Sequence, residues 1–325
     1  MQISNTPKKF APLFGEAIFE IETNGTQSAD IEIIDSLNSI IGIKRVSNNL
    51  VHTINIMPYM LGNLNIEPVN YESPNLTMDT QRIVPIKIKV SSGNQEVQSS
   101  VVPLLYASES QSNSPILNSA PTPKLIYANS LEQIDVLVDN QTISIDVEFI
   151  SNGTVSGQQH WGTLENQTGI VTIAVNAAKI LEATESDNKI IPFRFKISID
   201  DKPIYIDYLL MADCNEKLSV KWINRYGGID SHPFETILTE SMEVSRNAMA
   251  ECTSVKKSFT ISSETEDSVI AHWLCEVMQA RKVWIAINKK IFEVDIQNKS
   301  INIMHDQLQK VSFIVAAKNN LNLNY

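Results

Sequence analysis

The chain has 325 residues, which suits roughly two or three domains, and its hydrophobic content of 43% allows each of them to bury a core. The formal net charge of −11, without an acidic or basic tail, disfavours nonspecific nucleic-acid binding because phosphates would be repelled. With only 11 glycines and 13 prolines, the composition also argues against a disordered or linker-rich chain.

Residues 1–107 are predicted to form a first β-domain, because short runs of alternating apolar and polar residues are separated there by turn residues. Asn24-Gly25 is a predicted turn, Pro58–Leu61 a helical turn, and Asn63–Thr80 a long surface loop. Pro85 cannot donate to a ladder, so we expect it at a sheet edge or a bulge. The predicted strands are Ala17–Glu22, Ala29–Ile34, Ile40–Val46, Val51–Ile56, Arg82–Val90 and Val97–Leu105.

Residues 108–123 contain five serines and three prolines and are predicted to be a linker. Residues 124–214 are predicted to form a second β-domain with a short helix at Ala177–Ala183 and turns at Asp139–Gln141 and Asp200–Lys202. The first two domains are predicted to be small antiparallel sandwiches. The second has predicted strands at Gln133–Val138, Thr142–Phe149, Gly169–Val175, Ile190–Ile199 and Pro203–Met211.

An internal repeat links these two domains. Arg82–Val90 and Lys189–Ile197 each read basic, apolar, apolar and Pro, and then alternate between apolar and basic residues. A second apolar strand follows each copy, and upstream Thr53–Ile56 matches Thr172–Val175. The period of roughly 105 to 120 residues is the size of a domain, which predicts two related β-domains in tandem.

Residues 215–325 are predicted to form an α+β domain, with one helix packed on an antiparallel sheet. A capping box at Ser263–Glu266 precedes an apolar stripe that includes Trp273 and Val277, which predicts the helix. Asn288-Lys289 and Gln297-Asn298 are predicted hairpin turns. The predicted strands are Leu218–Ile223, Phe234–Leu238, Met242–Ser245, Lys257–Ile261, Val283–Ile287, Ile291–Ile296, Ser300–Met304 and Val311–Ala317.

The cysteines and the N-terminal sequence favour folding in a reducing cytoplasm. Cys214, Cys252 and Cys275 cannot all pair, and their spacing fits no disulfide framework. Residues 1–10 are not followed by a long apolar stretch, so no signal peptide is expected, and no run of about 18 apolar residues predicts a membrane span.

Catalytic, cofactor and metal sites are not predicted. Asp200-Asp201 stands in a predicted turn and Glu264 at a predicted helix start, where carboxylates are favoured for structural reasons. His272 and Cys275 share part of a helix face, but a metal would need two more ligands and nothing nearby has ligand spacing. Neither a Gly-x-Ser-x-Gly nor a His-Glu-x-x-His motif occurs, so an enzyme is not expected.

The most distinctive motif runs from Trp222 to Asp230 and is followed by Phe234. Gly227 and Gly228 can adopt positive φ, and Asp230 can bond to backbone amides just after it. One interpretation is a structural corner in which Trp222 and Phe234 anchor the flanking strands. The other is a binding loop that presents its polar residues, which are Asn224, Arg225, Tyr226 and Asp230.

A second candidate is the His160-Trp161 pair, which stands before Gly162 in a predicted polar loop. Aromatic groups in loops can stack on sugars, so these two residues are a possible ligand contact. The alternative is that they anchor the loop.

The pattern Trp-x-Asn-x-x-Gly-Gly-x-Asp, followed by a strand led by Phe234, resembles tail and tail-like structural proteins of Bacteroidetes phages and prophages, including relatives of the crAss-like phages. The resemblance covers about residues 218–320, with a capped helix bearing Trp273 and then a strand near Val283-Trp284. His232-Pro233 departs from the usual pattern. The resemblance implies no catalytic residues, and it implies a virion component that forms a ring or collar in the tail, neck or baseplate.

The sequence therefore leads to the hypothesis of a mainly β structural protein of the virion, made in the host cytoplasm. Its expected partners are copies of itself in a ring and other tail or neck proteins of the virion, with no nucleic acid, membrane span or cofactor. The alternative is a carbohydrate- or receptor-binding module, borne by a phage or a cell surface, that would use His160, Trp161 and Tyr226. An enzyme such as a depolymerase is a third hypothesis.

Overall fold

The computed structural model describes residues 1–15, 17–23, 28–47, 51–60, 64–111, 114–184, 188–214, 218–246, 252–305 and 307–318. The protein is mainly β, with 59% strand and 8% helix arranged in several sheets, which confirms the predicted class at that level. The chain divides into two compact units. The first unit comprises Met1–Glu67, Met78–Pro115 and Arg225–Gly227, and the second comprises Pro68–Thr77, Ile116–Asn224 and Gly228–Tyr325.

The first unit contains two sheets whose strands alternate between buried apolar and more exposed polar residues. One sheet has the order β1-β2-β5, and the other has the order β4-β3-β7-β8 with β9 also paired to β7. The division between the units crosses β6. The strands up to Leu105 are β1 (Gln2–Asn5), β2 (Ile18–Glu22), β3 (Ala29–Ile34), β4 (Ile40–Val46), β5 (Val51–Asn55), β6 (Leu76–Asp79), β7 (Ile83–Ser92), β8 (Gln95–Gln98) and β9 (Val102–Leu105).

Most predicted strands of this part of the chain are confirmed, and the predicted helical turn is a 3-10 helix at Met57–Tyr59. The prediction for Val97–Leu105 was wrong in part, since this stretch forms two short strands. The predicted loop at 63–80 also contains β6. The predicted turn at Asn24-Gly25 lies outside the described residues.

The second unit begins with a sheet in the order β10-β14-β13-β11-β12, and β6 lies beside β12. Its elements are β10 (Lys124–Tyr127), β11 (Leu131–Ser151), β12 (Thr154–Asn176), α1 (Ala177–Ala183), β13 (Ile190–Ile199) and β14 (Lys202–Met211). The predicted turn at Asp139–Gln141 was wrong, because β11 runs through it with a register shift and Asn140 takes φ 54°. The predicted linker was also wrong in its second half, since Ile116 bridges to Val136 and Leu117 is buried.

The rest of the second unit is a seven-stranded sheet in the order β16-β15-β19-β20-β21-β18-β17, with two short helices. Its elements are β15 (Leu218–Ile223), β16 (Ile229–Phe234), β17 (Thr236–Arg246), β18 (Cys252–Glu266), α2 (Ser268–Leu274), α3 (Glu276–Gln279), β19 (Val283–Ile287), β20 (Lys290–Ile296) and β21 (Gln309–Ala317). The helices and the sheet share a core that includes Trp222, Phe234 and Trp273.

Several details of the predicted α+β region were wrong. Ser263–Glu266 ends β18, and the helix is capped by Asp267, whose side chain accepts from the amides of Val269 and Ile270. Extended pairing with β21 overrides the local capping signal, because Glu266 is opposite Gln309 in the sheet. Ser300–Met304 forms no strand, so the predicted hairpin turn at Gln297-Asn298 was wrong as well. Phe234 ends β16, and the next strand begins at Thr236 instead of at Phe234. The predicted turn at Asn288-Lys289 is confirmed by positive φ at both residues.

The two repeated segments form strands with similar surroundings. Pro85 of β7 lies opposite Pro103 of β9, and β3 pairs with β7 only from Lys87 onward. Pro192 of β13 lies opposite Leu209 of β14, and the pairing with β11 stops at Phe193. Each proline therefore stands where one neighbouring strand has ended, which is where a residue without an N–H is tolerated.

Candidate functional site: the polar corner of β15 and β16

The motif that stood out in the sequence forms the turn between β15 and β16. Ile223 and Ile229 are the last opposed pair of the two strands, and Trp222 lies opposite Asp230. The amide of Asn224 donates to the carbonyl of Gly228 at 2.9 Å, and the amide of Gly228 donates to Asn224 Oδ1 at 3.1 Å. This closed turn explains why a side chain with both donor and acceptor atoms stands at position 224.

Glycine is required at position 228 because the backbone of another segment lies against it. A Cβ placed on Gly228 would come within 2.5 Å of the carbonyl oxygen of Leu117. Real Cβ atoms do not approach backbone atoms so closely, so any larger residue at position 228 would push the turn away from the segment that contains Leu117. The turn is therefore built around close backbone packing inside the second unit.

Arg225, Tyr226 and Gly227 belong to the first unit. Gly227 has φ 86°, and a Cβ there would lie 2.9 Å from the carbonyl oxygen of Tyr106. Its carbonyl accepts from Nη1 of Arg82, which is fully buried and forms an ion pair with Asp79 at 2.6 Å. Arg225 is exposed, and its guanidinium lies 4.9 Å from the centre of the Tyr226 ring.

Asp230 is fully buried and accepts hydrogen bonds from neutral donors of four residues. Its Oδ1 accepts from Asn118 Nδ2 at 3.0 Å. Its Oδ2 accepts from the amide and hydroxyl of Ser119 at 3.1 and 2.7 Å, and from Asn224 Nδ2 at 2.9 Å. Trp273 Nε1 also approaches Oδ2, at 3.4 Å. Such a saturated carboxylate holds surrounding segments together.

A second buried carboxylate, Asp135, continues this network. Its Oδ2 accepts from the amide of Ile229 at 2.7 Å, and its Oδ1 accepts from the hydroxyl of Thr172 at 2.7 Å. Gln133 Nε2 donates to both oxygens. Asn118 connects the two carboxylates, since its Oδ1 accepts from the amide of Asp135 while its Nδ2 donates to Asp230.

An ionic cluster lies close by in the same unit. Glu132 is 1% exposed, and its Oε2 accepts from Lys124 Nζ and from the Ser231 hydroxyl. Burial by itself would raise the pKa of Glu132, but the charges of Lys124 and Lys221 and the two hydrogen bonds outweigh it, so the pKa lies below its ordinary value. Glu132 is therefore an ionised anchor, held between two buried lysines.

Aromatic side chains cover the corner. The Trp222 and Trp273 rings lie 4.9 Å apart, and Phe234 contacts Phe313 with 5.8 Å between ring centres. Trp222 and Phe234 are both buried, as expected of strand anchors. His232-Pro233, where the sequence departs from the phage pattern, fits into β16 because this is an edge strand, and His232 Nε2 lies 2.8 Å from Glu266.

This geometry favours the corner interpretation of the motif over the binding-loop interpretation. Asn224, Gly228 and Asp230 are buried and fully engaged, whereas only Arg225 is exposed. The acceptor atoms of Asp230 and Asp135 are occupied by donors of the chain, so they offer no open face to a substrate. Across the described residues, no group of three or more His, Cys, Asp or Glu side chains could hold a metal ion.

The predicted polar loop at His160-Trp161 is instead part of β12. Trp161 is 6% exposed, donates from Nε1 to the carbonyl of Ala174 at 3.1 Å and packs edge-on against Phe195. It therefore cannot stack on a sugar in solution. His160 is exposed, with Nδ1 at 3.0 Å from Asp146 and Nε2 at 3.2 Å from the Thr163 hydroxyl.

The partners that complete the corner were not predicted from the sequence. Asn118 and Ser119 stood in the predicted linker, where a Ser- and Pro-rich composition outweighed the apolar pair Ile116-Leu117. That pair was a usable signal, because both of its residues are buried. Glu132 and Asp135 lie among the apolar residues Leu131, Ile134 and Val136 at the start of β11, and carboxylates at buried positions need internal partners.

No family model matches the chain, and no curated protein matches it. Among solved structures, the fibronectin(III)-like modules of Clostridium thermocellum CbhA match with 12% identity over 64% of this chain and 92% of that chain. The TM-score is 0.19, and a likeness at that level carries no argument about fold or activity. Within the described residues, no helix is long and apolar enough to cross a membrane.

Proposed function

We propose that this chain is a non-enzymatic structural protein of a phage or phage-like particle, where it assembles into a ring or collar of the tail, neck or baseplate. The proposal includes two tandem sandwich-like β-domains followed by an α+β domain. Its starting point is the resemblance of the Trp222–Phe234 pattern to tail proteins. The saturated corner around Asp230 is compatible with that role, because it gives structural rigidity.

The observation that carries the proposal is a two-stranded extension of the seven-stranded sheet. Pairing between β17 and β18 continues to Arg246 and Cys252, whereas the described pairing of β18 with β21 stops at Ser258. Residues 242–246 and 252–257, here called the distal ribbon, therefore pair with each other and with no further strand among the described pairings. An isolated ribbon is marginally stable and has unpaired edges, so it suits strand addition to a neighbouring subunit.

The first unit offers a receiving edge of the appropriate kind. β4 is the edge strand of its sheet, and Ile40 and Ile43 on it are 51% and 61% exposed. Leu37, in the preceding turn, is 81% exposed. The exposed charged residues Lys44 and Arg45 protect the second half of β4, so the apolar half from Ile40 to Ile43 is the part that can pair with another chain. A contact between the distal ribbon of one subunit and β4 of the next would be heterologous, which is the type that generates rings.

The test is the size and shape of the purified full chain, measured by light scattering after size exclusion and by negative-stain microscopy. We expect closed rings for the wild type and dissociation for Ile43→Lys, because a charge on the edge blocks pairing. Val155→Lys is the matched control, since Val155 is 47% exposed on β12, which belongs to a different sheet. A wild type that stays monomeric at all concentrations would contradict the ring.

Location is tested separately, by immunogold labelling of particles and cells with antibody against residues 218–325. Gold clustered at one end of a particle supports a tail or neck component. Gold on the cell envelope, with unlabelled particles, would overturn the virion proposal and favour an adhesin.

A carbohydrate-binding module is the second candidate, because one face of the β10–β14 sheet carries a row of polar and aromatic groups. His160, Asp146, Lys196 and Tyr205 lie opposite one another on four neighbouring strands. Tyr205 is 47% exposed, and the Arg194 guanidinium lies 4.5 Å from its ring centre. An exposed aromatic ring beside charged groups can stack on a sugar ring.

A glycan screen of the wild type and of Tyr205→Ala tests this candidate. Specific binding that Tyr205→Ala removes would place recognition on this face. Trp161→Ala is unsuitable as a probe, because the loss of a buried indole would destabilise the sheet by about 3–5 kcal/mol. Binding that is equal in the wild type and Tyr205→Ala would exclude this face as the glycan site.

A further inference from the structure

Two exposed histidines that are far apart in the sequence form a pair in the second unit. The imidazole of His272, on α2, lies 5.2 Å from that of His305 between ring centres, and the rings are inclined by 36°. His305 belongs to the irregular segment that precedes β21. The chain has five histidines. Among the described ring contacts, that of His272 with His305 is the one contact between two histidine rings.

The chain itself determines the orientation of the first ring. Nδ1 of His272 lies 2.6 Å from the carbonyl oxygen of Ser268. A carbonyl can only accept, so Nδ1 carries the proton and the lone pair of the neutral ring is on Nε2. A metal-binding histidine usually donates its other ring N–H to a backbone carbonyl or a carboxylate, because this hydrogen bond fixes the tautomer and the ring orientation.

The second ring is held through its neighbour in the chain. Met304 donates its amide to Gln309 Oε1 at 3.0 Å, and its carbonyl accepts from Gln309 Nε2 at 3.1 Å. Gln309 is 6% exposed and lies at the start of β21, so these two hydrogen bonds fix the backbone beside His305. Both imidazoles are therefore presented from positioned backbone, which lowers the entropy cost of bringing them together.

We propose that His272 and His305 form a binding site for a divalent transition-metal ion of the kind that imidazole prefers, such as Ni²⁺ or Zn²⁺. A metal–nitrogen bond of about 2.0–2.1 Å puts each ring centre about 3.2 Å from the ion. The centres are then separated by about 4.5 Å at the angle of about 90° that Ni²⁺ prefers and by about 5.2 Å at the tetrahedral angle of Zn²⁺. The observed 5.2 Å agrees with this geometry. Water completes the coordination, and the ion ties α2 to the segment before β21.

The experiment is a calorimetric titration of the full chain with Ni²⁺ near neutral pH. Ni²⁺ is chosen because it takes imidazole ligands, whereas Zn²⁺ would also bind thiolates such as the exposed Cys214. We expect one saturable site per chain, and at least about tenfold weaker binding in both His272→Ala and His305→Ala. His160→Ala is the matched control, because His160 is also exposed but lies on β12 beside Asp146.

Two further measurements separate the metal site from a structural effect. Both histidines are exposed, so circular dichroism should show unchanged folding in each variant, and the double variant should bind no more weakly than the single variants. Nitrogen-15 NMR of the histidine rings should show His272 protonated on Nδ1 before metal addition and a shift of its Nε2 on titration. Equal affinity in the wild type and His272→Ala, no saturable binding, or loss of binding only in His160→Ala would each overturn the proposal.

Discussion

Replacing Asp230 should destabilise the second unit far more than replacing an exposed aspartate. Three of the donors keep another acceptor in Asp230→Ala. Asn118 still donates to the carbonyl of Gln133, Asn224 to the carbonyl of Leu117, and Trp273 to the hydroxyl of Ser119. The amide of Ser119 loses the acceptor it has at 3.1 Å. Hydrogen bonds to a charged group contribute about 1.5–3 kcal/mol each, and an unsatisfied buried donor costs about 1–3 kcal/mol.

These values lead to an expected loss of about 3–5 kcal/mol in the free energy of unfolding for Asp230→Ala, since most donors find partial replacements. Asp230→Asn keeps the shape and one acceptor oxygen. That oxygen can stay at the Oδ2 position, so we expect a smaller loss of about 1–3 kcal/mol. Asp207→Ala, on the exposed side of β14, should stay within about 0.5 kcal/mol of the wild type.

Urea unfolding followed by tryptophan fluorescence is the assay. All four tryptophans, Trp161, Trp222, Trp273 and Trp284, belong to the second unit and are buried there, so their emission reports the unfolding of that unit alone. The free energy of unfolding falls with urea concentration by an amount that grows with the size of the unit. With the value typical of a unit of this size, Asp230→Ala should lower the urea midpoint by about 1–2 M. A loss below about 1 kcal/mol, or an equal effect of Asp207→Ala, would refute the role assigned to Asp230.

Three further predictions concern other positions. Glu132 has a lowered pKa in the folded protein, so its contribution to folding stability is present above its ordinary pKa of about 4.3 and is lost as the pH falls below it. Glu132→Gln should therefore be less stable than the wild type at neutral pH and should lose less stability on acidification. Urea unfolding measured at a series of pH values checks this. Gly42→Ala places a Cβ 2.1 Å from the Tyr59 ring and should destabilise the first unit by about 1–3 kcal/mol, seen as faster hydrogen exchange in β4, with the effect relieved in Gly42→Ala/Tyr59→Ala. Lys289→Gly should raise the free energy of unfolding of the second unit by about 0.5–1 kcal/mol, because Lys289 has φ 63° in a two-residue hairpin turn; an unchanged or lower urea midpoint would contradict this prediction.

Much of the strand content could be predicted because its signal is local. In β7 and β13, side chains alternate between buried and more exposed along most or all of the strand, and the alternation of Ile, Phe, Lys and Arg in the sequence follows the same period of two. The turns at Asp200-Asp201 and Asn288-Lys289 were also predictable, since Asp and Asn tolerate positive φ between two apolar runs. These features depend on neighbours within a few residues.

Predictions failed where a distant segment changed the outcome of a local signal. Ser263–Glu266 has a good capping sequence, but its backbone pairs with β21, and Asp267 caps the helix instead. Asp139–Gln141 reads as a turn, but pairing of β11 with β12 continues on both sides of it and absorbs it as an irregularity. A ladder of many hydrogen bonds outweighs the preference of three or four residues.

The sequence by itself determined the β class, most strand positions and the hairpin turns at Asp200-Asp201 and Asn288-Lys289. It also determined that a glycine-dependent turn is anchored by Trp222 and Phe234, because alternation, turn chemistry and glycine requirements act between near neighbours. Only the tertiary structure decided that Asp230 meets Asn118, which is 112 residues away, that Trp161 is buried, and that His272 and His305 form a pair. The physical reason is that burial and long-range hydrogen bonding depend on which segments the sheets bring together, and each such contact leaves only an isolated polar residue in the sequence.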